Sequence, residues 1–244
     1  MTAAVILLHG LRTSASMWRH QREALAADGI PVIAVDLPGH GTRLGERFSV
    51  DASLNAIGDA VGRATRETGA APYLVGFSLG GYLAIEWVAA HPGRVAGLLA
   101  AGCGTTPPPV VMRVWRVLAR VIGRMPDRGR RLNDAVVRLF VPPPGAEDVI
   151  SGGVALDVMD DALIELSRLR PLERLRDIRI PVLFVNGRLD HVALQAGRFL
   201  AATPGARLVT VPGATHMVSL VRPDRFTEVL LEGYRAACGV PKRA

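Results

Sequence analysis

The chain has 244 residues, 49% of them apolar and 21% charged, with a formal net charge of +7. That length and apolar share allow one large α/β domain with a sizeable core. No apolar run approaches the roughly 18 residues of a membrane-spanning helix. Two cysteines, Cys103 and Cys238, make no disulfide framework, and no Cys/His cluster has metal-ligand spacing.

Charge is unevenly spread. Between Pro107 and Phe140 eight arginines stand against Asp127 and Asp134, a local balance of +6, and Lys242 is the only lysine. A basic total built this way does not argue for nucleic acid, no nucleic-acid-binding motif is present, and aromatic residues are scarce. The N-terminus lacks a basic leader and its apolar run is too short for a signal-peptide core, so a cytoplasmic protein is expected.

In chain order, Ala3 to Leu8 is a near-continuous apolar run, the pattern of a parallel strand buried on both faces. It ends in His9-Gly10. A loop leads to a helix from about Met17 to Ala27, stopped by Asp28-Gly29. Pro31 to Asp36 reads as the second strand, followed by the loop Leu37-Pro38-Gly39-His40-Gly41. Val50 to Thr68 reads as a helix with Ser49 or Asp51 as its cap and Gly69 as its stop.

Pro72 to Val75 is the next strand. It runs into Gly76-Phe77-Ser78-Leu79-Gly80-Gly81, and a helical pattern follows at once. Gly-x-Ser-x-Gly between a strand and a helix is the context in which a serine hydroxyl stands clear of a tight turn. Side chains at Gly76 and Gly80 would collide with neighbouring segments. The helix that begins after Ser78 aims free N–H groups at the same point. His91-Pro92-Gly93 ends that helix, and Val95 to Ala101 is the fourth strand. Strands alternating with helices at this spacing predict right-handed crossovers and a parallel sheet.

From about Thr105 to Pro171 the pattern turns helical, broken by two proline clusters. The reading is a helical cap over 107–170 inserted into a core of 1–106 and 171–244. Within it, Val110 to Arg124 sets Arg113, Arg116, Arg120 and Arg124 on one face. Val114, Val117, Leu118, Val121 and Ile122, with Trp115, occupy the other. The plain expectation is a solvated basic face over a buried apolar one. The sharper alternative is a surface for an anionic substrate, an acyl carrier or a membrane interface. The sheet resumes at Pro181 to Asn186, ending in Gly187-Arg188-Leu189-Asp190. A helix from Val192 to Ala201, a strand from Ala206 to Val211, the loop Pro212-Gly213-Ala214-Thr215-His216 and a final helix over Pro223 to Ala237 complete the chain.

Three strand ends now carry what nucleophilic catalysis requires. Ser78 needs a base; His216 is the candidate, since an unperturbed imidazole exchanges its proton near neutrality; Asp190 would fix the imidazole tautomer. Asp36 reads as a structural strand-end residue, and Asp160 and Asp161 lie in the cap. The order Ser, Asp, His fits this architecture.

Taken together, the elbow around Ser78, His9-Gly10, the loop Asp36 to Gly41, the Asp190 turn and the His216 loop resemble an α/β-hydrolase-fold serine hydrolase. The likeness runs from end to end apart from the cap. It implies a mostly parallel sheet, of six strands because the chain starts directly at the His-Gly strand, flanked by helices, with the Pro31 strand exposed at one edge. It implies an oxyanion hole from the backbone N–H groups of Leu11 and Leu79. His9 and His40 fit positions that stabilise loops around the site. Trp18, Phe77, Trp115, His191 and Met217 are candidates for the substrate pocket.

The chemistry expected from the resemblance is cofactor-independent, metal-free cleavage of a small ester or thioester through an acyl-enzyme. Carbon–carbon bond hydrolysis, lactone opening, perhydrolysis and acyl transfer use the same three residues, and a ligand-binding, receptor-like member is the non-enzymatic reading. Hydroxynitrile lyase chemistry is disfavoured because no site lysine is available. Serine at the elbow argues against the haloalkane dehalogenases and epoxide hydrolases, which carry aspartate there. A monomer or a dimer is expected, with an anionic or acyl-carrier partner at the basic cap as the lesser possibility.

Overall fold

The computed structural model describes residues 2–106 and 109–240; Pro107, Pro108 and Lys242 lie outside the described residues. Six strands, β1 (Val5–Leu8), β2 (Val32–Val35), β3 (Tyr73–Phe77), β4 (Gly97–Ala101), β5 (Val182–Gly187) and β6 (Arg207–Val211), form one sheet in the order β2-β1-β3-β4-β5-β6. Every pairing is parallel. The apolar runs at β1, β3, β4 and β5 are buried throughout, as strands covered on both faces must be. β2 lies at one edge, as expected, and β6 at the other.

The covering helices come from the crossovers. α1 (Arg19–Ala27) follows a 3-10 turn at Ala15–Trp18, so the first helix starts two residues later than its apolar pattern suggests. α2 (Val50–Thr68) has the bounds read from sequence. Ser49 Oγ accepts from the Ala52 N–H at 3.1 Å, and Gly69 closes the helix in the left-handed conformation. α3 (Leu79–Ala90) is apolar nearly all round and buried from Leu79 to Val88, which places it between the sheet and α2.

After β4 the chain runs through α4 (Pro109–Gly123), α5 (Arg130–Phe140), α6 (Pro143–Ser151), α7 (Met159–Leu166) and α8 (Pro171–Arg174) before it rejoins the sheet at β5. Then come α9 (Ala196–Ala202), a short turn of helix α10 (Val218–Val221) and α11 (Pro223–Cys238). α9 begins four residues later than its apolar pattern suggests, because the Asp190 carboxylate accepts the Val192 N–H and holds the preceding segment as a turn.

The expectation for α4 is overturned. The helix packs on α7 through its Met112 edge, while Val110, Val114, Val117, Leu118, Val121 and Trp115 are exposed. The cause is an ion-pair anchor. Arg116 Nε and an Arg120 terminal nitrogen each reach Asp160 at 2.8 Å. These pairs fix the Arg116 side of the helix next to α7, so the valine face is turned to solvent with Arg113 and Arg124 exposed beside it.

Candidate active site

Ser78 sits between β3 and α3 with φ 51° and ψ −114°, a conformation that costs a non-glycine residue roughly 1–3 kcal/mol. The neighbours enforce it. A Cβ on Gly76 would overlap the Gly80 carbonyl, and one on Gly80 would overlap the carbonyls of Leu8 and His9. The Ser78 N–H donates to the Ala101 carbonyl at 2.8 Å and the Gly80 N–H to the His9 carbonyl at 3.1 Å, which pins the turn to β4 and to the end of β1.

Asp190 and His216 arrive on the loops after β5 and β6. The Leu189 N–H donates to the Ala214 carbonyl at 3.0 Å and ties the two loops together. Nδ1 of His216 lies 3.0 Å from Asp190 Oδ1, and Nε2 lies 3.1 Å from Ser78 Oγ. With the carboxylate facing Nδ1, the proton belongs there, and Nε2 presents its lone pair to the Ser78 hydroxyl. The Asp190 side chain is fully buried; its Oδ1 also accepts the Val192 N–H at 2.8 Å, and its Oδ2 has no partner among the described residues. Phe77 lies under the imidazole with ring centroids 5.0 Å apart, and Gly102 leaves room for the ring's edge.

The amides of Leu11 and Leu79 donate to no backbone carbonyl among the described residues. Leu79 is the first residue of α3, where such an N–H is orphaned by geometry. Leu79 follows Ser78 directly, and Leu11 follows Gly10, where an added Cβ would lie 3.4 Å from Ser78 Cβ.

The remaining candidates divide. His191 is exposed, and its ring centroid is 5.4 Å from that of His216, at the rim of the site. Trp115 lines a small cavity of about 50 Å³ under α4 with Arg12, Leu118, Ala119, Ile122 and Leu156. Trp18 is a correction: it is completely buried against Phe226 of α11, where it carries packing. Met217 packs partly against that same core cluster.

Asp36 accepts from the Ala15 N–H, the Thr42 N–H and the Thr42 hydroxyl. Burial alone would raise its carboxyl; these bonds outweigh burial and hold it below its ordinary value. Asp160 and Asp161 are engaged by Arg116 with Arg120 and by Arg47. His9 accepts the Leu37 N–H at Nε2 and faces the Gly10 carbonyl at Nδ1. Burial, reinforced by His40, pushes it down to about 3, so it is neutral and binds the two loops together. Burial likewise lowers His40, whose Nδ1 faces the Pro38 carbonyl at 3.0 Å.

One residue was not singled out in the sequence. Arg12 has φ 67°, donates to Asn133 Oδ1 of α5, and keeps a buried Nε with no partner among the described residues. An arginine two places after His-Gly carries no pattern of its own; only the fold brings it beneath α4. Among the described residues no group of three or more His, Cys, Asp or Glu side chains could hold a metal ion.

The profile of the alpha/beta hydrolase family matches residues 5–229. The chain is 27% identical over 232 residues to a monoacylglycerol lipase of Mycolicibacterium smegmatis, covering 88% of this chain and 81% of that protein. It is 26% identical over 250 residues to a pimeloyl-[acyl-carrier protein] methyl ester esterase of Nitrosospira multiformis, covering 91% and 90%. Among solved structures, an esterase from Exiguobacterium antarcticum superposes with a TM-score of 0.81 at 19% identity, over 96% of this chain and 92% of that one. An enol-lactonase from Burkholderia xenovorans gives a TM-score of 0.77 at 22% identity, over 96% and 91%. At such identities these two likenesses speak for the fold. The extent of the profile match, together with the six-stranded parallel sheet and its serine turn, establishes that the chain belongs to the alpha/beta hydrolase family.

Proposed function

We infer that the protein is a serine hydrolase that cleaves a carboxylic ester or thioester, with Ser78 as nucleophile, His216 as base and then acid, and Asp190 as the orienting carboxylate. The observation that carries this reading is the unbroken row from Asp190 Oδ1 through the imidazole to Ser78 Oγ, with contacts of 3.0 and 3.1 Å. The relatives named as lipase and esterase support the bond class.

In this reading Ser78 Oγ bonds to the substrate carbonyl carbon while its proton passes to His216 Nε2. The carbonyl oxygen becomes an oxyanion held by the N–H groups of Leu11 and Leu79; such a donor contributes about 3–4 kcal/mol to lowering the barrier. The bond to the leaving oxygen or sulfur then breaks, and that atom takes the proton from Nε2. Water repeats the sequence on the acyl-enzyme: it gives a proton to Nε2, and Ser78 leaves with it. Asp190 stays ionised and stabilises the imidazolium.

The segment over 107–170 is assigned as a cap above this site. In this reading Trp115, by the cavity over Arg12, and His191, beside His216, would meet substrate, and the cap's arginines favour an anionic partner. Two free thiols fit a reducing, cytoplasmic setting. The test is labelling by a fluorophosphonate, and turnover of short p-nitrophenyl esters, in wild type and Ser78→Ala. Loss of labelling and a rate loss on the order of 10⁴–10⁶ are expected. Undiminished turnover in the variant would remove Ser78 from the chemistry.

A further inference from the structure

The outward face of α4 is a stripe of four valines at i, i+4, i+7 and i+11. Val110, Val114, Val117 and Val121 are 56%, 63%, 59% and 56% exposed. Leu118 and Trp115 widen the stripe on one side, and Arg113, Arg120 and Arg124 border the other. α5 repeats the arrangement. Leu132, Val136, Leu139 and Phe140 stand exposed, Leu139 to 75% and Phe140 to 57%, with Arg131 and Arg138 beside them. Exposed apolar residues scattered singly need no explanation, but two successive helices that each turn their apolar side to water do.

We propose that this face docks on the surface of an anionic lipid bilayer, with the valine and Leu139–Phe140 stripes sunk below the headgroups and the flanking arginines on lipid phosphates. Charge selects the occupant. A second copy meeting this face in a symmetric pair would set like charges against each other, because the side chains of Arg113, Arg124 and Arg131 keep no carboxylate partner among the described residues while Arg116, Arg120, Arg128 and Arg138 are already paired. An acidic protein would satisfy the arginines but leaves the breadth of apolar surface unexplained. An anionic bilayer answers both features: an amphipathic helix in the interface plane needs an apolar face and a cationic border. The geometry also joins the two sides of α4. Leu118 and Trp115 belong to its exposed surface and also line the cavity over Arg12, one residue from Leu11. Docking therefore sets the lipid phase against the α4 wall of the cavity that Arg12 lines.

The inference concerns binding and is tested apart from hydrolysis. The full chain is sedimented with vesicles of phosphatidylcholine alone and of phosphatidylcholine with phosphatidylglycerol, at low and high ionic strength. Wild type is expected to bind the mixed vesicles, and to bind them tenfold or more weakly at high salt. Arg113 and Arg124 form no ion pair with a carboxylate among the described residues, so Arg113→Glu with Arg124→Glu should weaken binding on the order of tenfold or more. Val114→Asp with Val117→Asp should abolish it. Both double variants should keep the wild-type circular dichroism and thermal midpoint, and Ser78→Ala should bind vesicles like wild type whatever its turnover. Failure of wild type to bind either vesicle overturns the proposal, as does binding that survives both double variants. A dimer split by the valine variant, without vesicle binding, would assign the face to a second copy. A salt-sensitive complex with an acidic acyl-carrier protein, without vesicle binding, would assign it to a protein partner.

Discussion

Gly80→Ala tests whether the serine turn is set by the close approach of α3 to β1. A Cβ at position 80 would lie 2.5 Å from the Leu8 carbonyl oxygen and 2.7 Å from that of His9. Ordinary contact begins at 3.4 Å, so helix and strand must separate by about 0.9 Å. Neither side yields easily. Leu8 is paired to β2 and β3 at once, and α3 is buried over its first ten residues. Overpacking of this kind costs about 1–3 kcal/mol. The same displacement carries the Leu79 amide away from the Leu11 amide, and a misplacement of about 1 Å in a catalytic group can cost on the order of 10²-fold in rate. The expected outcome is therefore a kcat/KM on p-nitrophenyl acetate lower by about 10²-fold, with a urea midpoint lowered to match 1–3 kcal/mol. Gly197→Ala is the control. Its added Cβ meets no atom within 4 Å, and alanine in α9 should stabilise by about 0.4–1 kcal/mol. Wild-type kinetics in Gly80→Ala would show that the turn does not depend on this contact.

Other outcomes follow from the same geometry. Asp190→Asn keeps the shape of the site but disturbs the imidazole tautomer, so kcat should fall on the order of 10³–10⁴ with KM little changed; a loss confined to KM would contradict the orienting role. Ser49→Ala removes the cap of α2 and should cost about 1 kcal/mol, read as a thermal midpoint lower by about 2–4 °C; an unchanged midpoint would count against the cap. His9 is held neutral by burial, its value falling from 6.5 to about 3 on folding. Its contribution is therefore fully present above about 6.5 and lost as pH falls towards 3, and Asp36, also held low, adds to the loss at the acid end. Urea midpoints should decline across that window, and a flat profile down to its acid end would show that His9 is not the buried neutral group described.

The strands were legible because burial on both faces leaves a continuous apolar run, which is how β1, β3 and β5 announce themselves. The serine turn was legible because Gly76 and Gly80 are sterically required. Asp190 and His216 were legible because loop residues at successive strand ends of a parallel sheet converge. The orientation of α4 was not. Periodicity tells which residues share a face but not which face meets the protein, and that was decided by Asp160, some forty residues downstream. Trp18 was misassigned for a related reason: nothing local distinguishes an indole that packs on a distant α11 from one that lines a pocket.

The helices from α4 to α8 leave the sheet at β4 and return at β5, and these two strands are hydrogen-bonded neighbours. Because the two strands are parallel, the chain leaves at the C-terminal end of β4 and re-enters at the N-terminal end of β5, so the excursion spans the length of the sheet between two strands held in fixed register. A crossover between strands already locked to each other can lengthen, shorten or be swapped for another without altering the register beneath it. The scaffold thus separates two evolutionary tasks: β3, β5 and β6 keep Ser78, Asp190 and His216 together, while the excursion of helices is free to diversify.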